Sequence, residues 1–340
     1  VISLVVLQRY LQIETIGRKV RLDYPGAVLI SIAASLPLIW VSFAGTSFGW
    51  FSWESAVFVG GALVAATVAV IVENKHPEPL VPLRVVRERT TALAIIASVA
   101  VGIAMFGSAV FLGQFFQVAQ GYTPTEAGLL MVPMMLGSFV GTTGAGQIIT
   151  RTGKWKRFLV TGSVMLVAGL GMLGTIDHAT PIWHMSVFMV LMGLGMGMMM
   201  QNLVLAVQNT VDVTDVGAAS GVVAFFRSLG GAVGVSVLGA ILASRVADKI
   251  ASGLRDIGVN PAQGSGDTSS MLDLNNMPAP VVEVVRTSYA DATGRIFLIA
   301  SGVALISFIA VVLIREVPLR LTVRKYDDVD EPKDEIGAPN

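Results

Sequence analysis

Residues 193–242 read GLGMGMMMQNLVLAVQNTVDVTDVGAASGVVAFFRSLGGAVGVSVLGAIL, and this stretch decides the fold. Two apolar runs, each long enough to cross a hydrocarbon core of about 30 Å, flank the short acidic turn at 212–215, so in lipid they must lie antiparallel. The second run carries Arg227. A full positive charge inside an apolar helix costs several kcal/mol or more unless it faces protein or water, so Arg227 marks a pathway or a partner. Gly193 with Gly197, Gly217 with Gly221, and Gly230 with Gly234 are each four apart, the spacing that lets helix backbones approach closely. The stretch therefore predicts a tightly packed helical hairpin bearing one buried cation.

The rest of the chain has the same character. Of 340 residues, 54% are hydrophobic and only 14% charged, and the mean hydropathy of +0.72 places the protein in the membrane class. Cysteine is absent, which excludes disulfide frameworks, thiolate metal sites and cysteine nucleophiles. Apolar runs predict eight complete spans, at about 25–45, 54–72, 92–117, 127–149, 158–176, 183–207, 216–243 and 295–314. Asp23 followed by Pro25 marks the start of the first, and the spacing of Thr123 and Glu126 suits a capping box before the fourth.

Between them the sequence predicts a basic, proline-rich loop at 74–91 and a polar loop at 244–294, whose flanks could form short amphipathic helices around a flexible middle. It also predicts a charged, disordered tail at 316–340. Residues 1–24 read as the last turns of a preceding helix and a cytoplasmic loop, with the start truncated. Counting Lys and Arg on alternate sides collects 17 on one, including Arg18, Arg84, Arg87, Arg151, Lys154 and Arg315. The other side has Arg245, Lys249, Arg255 and Arg286, all in the long loop. The positive-inside rule then puts the first side, with the C-terminus, in the cytoplasm and the long loop outside.

Chemistry-bearing residues are few. No Asp or Glu falls mid-span, and His76, His178 and His184 lie in or beside loops. A proton-coupled carrier needs a titratable group reachable from both sides, usually a buried carboxylate or histidine, so the coupling acid is not found within these residues. The candidates for a substrate cavity are Arg227 and the amides Gln114, Gln117, Gln201, Asn202 and Gln208; Gln201 and Gln208, seven apart, share a helix face. Amides in lipid either hold helices together or bind ligand. The methionines from Met185 to Met200 either line a compliant pocket or fill the core.

The turn GQIITRTGKWKR at 146–157 is the most specific short signal. It resembles the Gly-x-Leu-Ala-Asp-Arg-x-Gly-Arg-Lys loop of the major facilitator superfamily, with Gly146, Arg151, Gly153 and Lys154 at matching places and Thr150 where the family has aspartate. RLDYPGAVLI at 21–30, EPLVPLRVVRERT at 78–90, FFQVAQGYTPTEAGLLMVP at 115–133 and the 193–242 stretch look like the second half of the fourteen-helix drug:proton antiporters. The resemblance implies an all-α integral membrane fold. Spans at 25–73 would be an extra central pair, spans at 92–243 and 295–315 a C-terminal six-helix bundle, and an N-terminal bundle with the coupling carboxylate would be missing. It implies proton-driven export of lipophilic, often cationic compounds, including antibiotics, from a bacterial plasma membrane, with the proton gradient as energy source and no cofactor. Another small solute as cargo, or a remnant without activity, fits the same sequence. A membrane enzyme is disfavoured by the scattered histidines and the lack of mid-span acids, and ATP-driven transport by the lack of a Walker-type phosphate loop. No metal site and no nucleic-acid contact is expected.

Overall fold

The computed structural model describes residues 23–44, 47–76, 79, 81–257 and 278–319. The expectations for 1–22, for the middle of the long loop at 258–277 and for the tail from 320 onward lie outside these residues. The described chain is helical and contains no β-strand, only an isolated bridge between Ala44 and Phe48. Eight of its helical segments are long and apolar enough to cross a membrane.

The first two spans are α1 (Tyr24–Phe43) and α2 (Trp53–Lys75). Asp23 starts α1 by accepting the Gly26 N–H at 2.8 Å, with Pro25 in the first turn where its missing N–H is harmless. Ser52 caps α2. A short helix, α3 (Leu83–Arg87), leads into α4 (Arg89–Gln114), which ends in a π-helical turn, Phe115–Ala119. The capping box of Thr123 and Glu126 forms and starts α5 (Pro124–Leu130). Predicted span four then breaks. Pro133 offers no N–H to the preceding turn, so the helix interrupts at Met131 and resumes as α6 (Val132–Thr152). The remaining helices are α7 (Lys156–Leu173), α8 (Ile182–Gln208), α9 (Val216–Asp256) and α10 (Ala279–Leu313).

Helices α4 to α10 share one core, which runs from Val85 to Ile314 and contains no residue of α1 or α2. The α1–α2 pair packs on itself and leans on α9, and most of its apolar side chains remain outward-facing, as lipid contact requires. Within the bundle α8 is wedged between α6 and α7. A Cβ on Gly193 or Gly197 would lie 2.2 and 2.1 Å from the Met134 and Ser138 carbonyl oxygens of α6, and one on Gly195 2.5 Å from the Gly162 carbonyl of α7. Helices α4 and α9 run parallel, with Val99 against Gly230 and, one turn on, Ile103 against Gly234.

These contacts correct the predicted hairpin. The two halves of 193–242 do not make their close approaches to each other: α8 gives its glycine faces to α6 and α7, and α9 gives its own to α4. Gly217 and Gly221 face open space. A four-residue spacing marks a helix stripe that can be approached, but it cannot say by which neighbour.

A second correction concerns the loop at 244–294. α9 has 41 residues and α10 has 35, or about 61 and 52 Å at 1.5 Å per residue, far more than a bilayer core of about 30 Å. The flanks are therefore continuations of the spans rather than separate short helices. Their apolar residues recur at helical spacing, so Ile250 and Leu254 meet Val285 in a small seam of their own. Lys249 and Asp291, 2.5 Å apart, and His178 and Glu283, 3.1 Å apart, fasten the projecting pair to itself and to the turn before α8.

The glycine contacts make a sharp expectation. Gly102→Ala, whose Cβ would sit 2.0 Å from the Arg227 carbonyl oxygen, and Gly197→Ala should each cost about 1–3 kcal/mol through forced separation of backbones. Gly217→Ala and Gly221→Ala should be neutral or slightly stabilising. Thermal unfolding of the purified protein in detergent compares the two pairs, and equal midpoints would refute the packing described.

Candidate functional site

Arg227 sits at the crossing of α4 and α9. Its carbonyl oxygen lies over Gly102, the only residue type whose backbone could come that near, and Gly231 one turn later continues the contact. The residue is 8% exposed although its side chain is a guanidinium. Its Nε and Nη2 are buried without a hydrogen-bond partner, and the described ion pairs do not include it. Ser98, one turn before Gly102 on α4, has a fully buried hydroxyl that is also without a partner. Orphaned donors of this kind cost about 1–3 kcal/mol each, more when charged. N–H donors at a dry site can donate to a carbonyl or an anionic group.

The start of α9 is set by an ion pair. Arg84 of α3 donates from Nη2 to Asp215 Oδ1 at 2.8 Å, in front of the helix N-terminus, where a carboxylate also satisfies the helix dipole. Arg227 lies eleven residues, about 16 Å, further along. That is well inside the span.

No hydrogen bond joins the candidate amides to Arg227 among the described residues. Gln114 accepts the Tyr289 hydroxyl at 2.8 Å and so joins α4 to α10 near the π turn, about 18 Å along α4 from Gly102. Gln117 donates to the Gly113 carbonyl of its own helix at 2.9 Å. Asn202, buried, donates to Met198 at 2.6 Å. Gln208 donates to Ser220 at 2.9 Å and ties the end of α8 to the start of α9. Gln201 is exposed. Three of the five amides thus close links within a helix or across the turn it enters, and one ties α4 to α10. Met185, Met189, Met192 and Met199 are fully buried in the core.

The loop of 146–157 is built as a helix stop. Gly153 adopts φ of 68° and caps α6 through its N–H to Ile149 at 2.8 Å, a left-handed conformation that favours glycine. Nothing lies within 4 Å of where a Cβ on Gly146 would be. Arg151 and Lys154 are exposed, and Thr150 turns its hydroxyl back to Gln147 at 2.8 Å. Trp155, next in sequence and fully buried, donates its indole N–H to Val317 at 2.9 Å, while Asn209 donates to Val317 and Pro318. The turn is therefore clamped to the segment after α10. Sequence reasoning missed Trp155 because a buried anchor reads no differently from an interfacial tryptophan until its partner, 162 residues away, is known.

A further feature escaped the sequence. Asp23 and Glu73, 2% and 5% exposed, meet over Gly26, where a Cβ would come within 2.3 and 2.9 Å of one oxygen from each. Both read as helix-end acids, which they are, but their burial against one another follows only from the pairing of α1 with α2.

Residues 26–235 match the family described as the Major Facilitator Superfamily. An uncharacterized MFS-type transporter of Mycobacterium tuberculosis is 32% identical over 322 residues, which are 94% of this chain and 45% of that protein. The multidrug transporter protein MdtP of Bacillus subtilis is 27% identical over 354 residues, covering 97% and 65% of the two chains. A tetracycline resistance determinant of Streptomyces rimosus is 28% identical over 321 residues, covering 87% and 92%. The chain spans about half the length of the first of these relatives. Among solved structures, a bacterial homolog to the human lysosomal transporter Spinster aligns with a TM-score of 0.49 and 15% identity, over 85% of this chain and 64% of that one.

The bond between Gln114 and Tyr289 is open to direct measurement. Tyr289→Phe should lower stability by roughly 0.6–1.7 kcal/mol, and Gln114→Ala should add little once the hydroxyl is gone. Additive losses in the double variant would show that the two side chains act separately.

Proposed function

Since the chain belongs to the Major Facilitator Superfamily, we propose that it forms part of a secondary transporter exporting lipophilic small molecules, drugs among them, at the expense of the proton gradient. Eight helices long and apolar enough to cross a membrane, and relatives named as transporters, support a membrane carrier. Export of drugs is supported by the names of the Bacillus and Streptomyces relatives. The observation that carries the reading is Arg227: a buried guanidinium with two unpartnered nitrogens at a helix crossing within an apolar span. A carrier gives such a group its use, because solute or a second bundle meets it in one conformation and leaves it in the other.

Proton coupling is assigned to an acid in an N-terminal bundle that completes the carrier, in keeping with the 45% of the Mycobacterium relative that this chain spans. No cofactor takes part. The carrier is assigned to the bacterial plasma membrane with the C-terminus in the cytoplasm, where the basic turns around Arg84, Arg151 and Arg315 collect. The substrate meets Arg227 from the bundle face, and the exposed Arg151 and Lys154 serve the turn that moves between states.

In the full gene product, Arg227→Ala should reduce energised efflux of a fluorescent lipophilic dye at least tenfold and leave membrane abundance within about twofold of normal. Arg227→Lys keeps the charge, loses the planar fork, and should retain part of the rate. Dye efflux and immunoblotting of membranes make the comparison. Unchanged drug resistance in the alanine variant would remove Arg227 from the site, and accumulation of solute by energised cells would replace export with uptake.

A further inference from the structure

Where α9 and α10 leave the bilayer, they and the turn between α1 and α2 enclose a cavity of about 750 Å³. Its lining changes character along α9. Val237 and Ile241 come first, then Arg245 and Lys249, each four residues after the last and therefore on one helix face. Asp291 and Arg295 contribute from α10. Lys249 is taken by Asp291 at 2.5 Å. Because α10 runs antiparallel to α9, Arg295, one turn after Asp291, stands at the height of Arg245, one turn before Lys249.

Two guanidiniums thus line one level of the cavity, about 6 Å closer to the membrane than the ion pair. Neither has an ion-pair partner among the described residues. Asp248 is the other charge on the lining, so the wall carries three cations and two carboxylates. One negative charge would balance it. Below that level the wall is apolar, and at its rim stands Trp50, its ring edge-on to Trp40 with centroids 5.6 Å apart, an aromatic of the kind that settles at the headgroup level.

We infer that this cavity is a site for an anionic phospholipid. The single negative charge of a phosphodiester sits between Arg245 and Arg295, whose planar forks suit phosphate oxygens, and an acyl chain descends along Val237 and Ile241. The charge balance selects a lipid of net charge minus one over a zwitterionic one. The apolar floor selects an amphiphile over a soluble anion. The site lies away from Arg227 and does not depend on the direction or cargo of transport. It joins the α1–α2 pair, no residue of which belongs to the shared core, to the bundle through a bound molecule.

The test uses the full-length protein purified in neutral detergent and titrated with phosphatidylglycerol, phosphatidylcholine or inorganic phosphate, with thermal unfolding and native mass spectrometry as readouts. Phosphatidylglycerol should raise the midpoint and stay bound, phosphatidylcholine should do so roughly tenfold less well, and phosphate alone should have no effect. Arg245→Gln with Arg295→Gln should weaken apparent phosphatidylglycerol affinity by at least about tenfold. Ala240→Trp, which fills the apolar half and leaves both guanidiniums, should weaken it too, and this variant decides the matter if the double variant does not fold. An undiminished lipid response in the variants, or an equal response to phosphatidylcholine or to phosphate, would overturn the assignment.

Discussion

The contact between Gly102 and the carbonyl of Arg227 is the constraint on which the rest of the bundle depends. In lipid, apolar side chains gain little by leaving hydrocarbon for protein, so helices associate through van der Waals contact of close backbones and through polar links. At Gly102 two backbones meet where any side chain would part them. The same device recurs at Gly193, Gly195 and Gly197, where α8 is held on both sides at once. Tight parallel packing of α4 on α9 and of α6 on α8 then follows, and with it the burial of Arg227, since the helix that carries the guanidinium is drawn fully against its neighbour.

Polar groups in this fold divide into those that finish a structure and those left open. Gln114, Gln117, Asn202 and Gln208 are satisfied by Tyr289, Gly113, Met198 and Ser220 and so stabilise turns and crossings. Trp155 and Asn209 hold the segment following α10. Arg227 and Ser98 remain with buried donors unspent. In a medium without water such donors are expensive, and that cost sets Arg227 and Ser98 apart from the satisfied amides.

Charge at the far end of the molecule follows a different logic. The projecting halves of α9 and α10 lie beyond the hydrocarbon, where charged side chains are solvated and ion pairs such as Lys249 with Asp291 hold geometry more than they add stability. Close to the apolar boundary the same charges become selective, because a guanidinium half in lipid is best matched by a lipid phosphate.

The linear chain by itself determined the membrane class, the existence of eight spans, the cap at Asp23, the capping box of Thr123 and Glu126 and the oddity of Arg227. Each of these is a local matter of hydropathy, spacing or side-chain chemistry, and a bilayer leaves an apolar run of twenty residues little choice but to become a helix. Three-dimensional packing alone decided which neighbours the glycine stripes meet, why Gly217 and Gly221 are idle, that Asp23 and Glu73 are buried together, and that the flanks of the long loop continue their spans. Those outcomes rest on contacts between residues far apart in sequence, such as Gly102 with Arg227 or Ile250 with Val285, and a periodic pattern records that a face is sticky without recording what it touches.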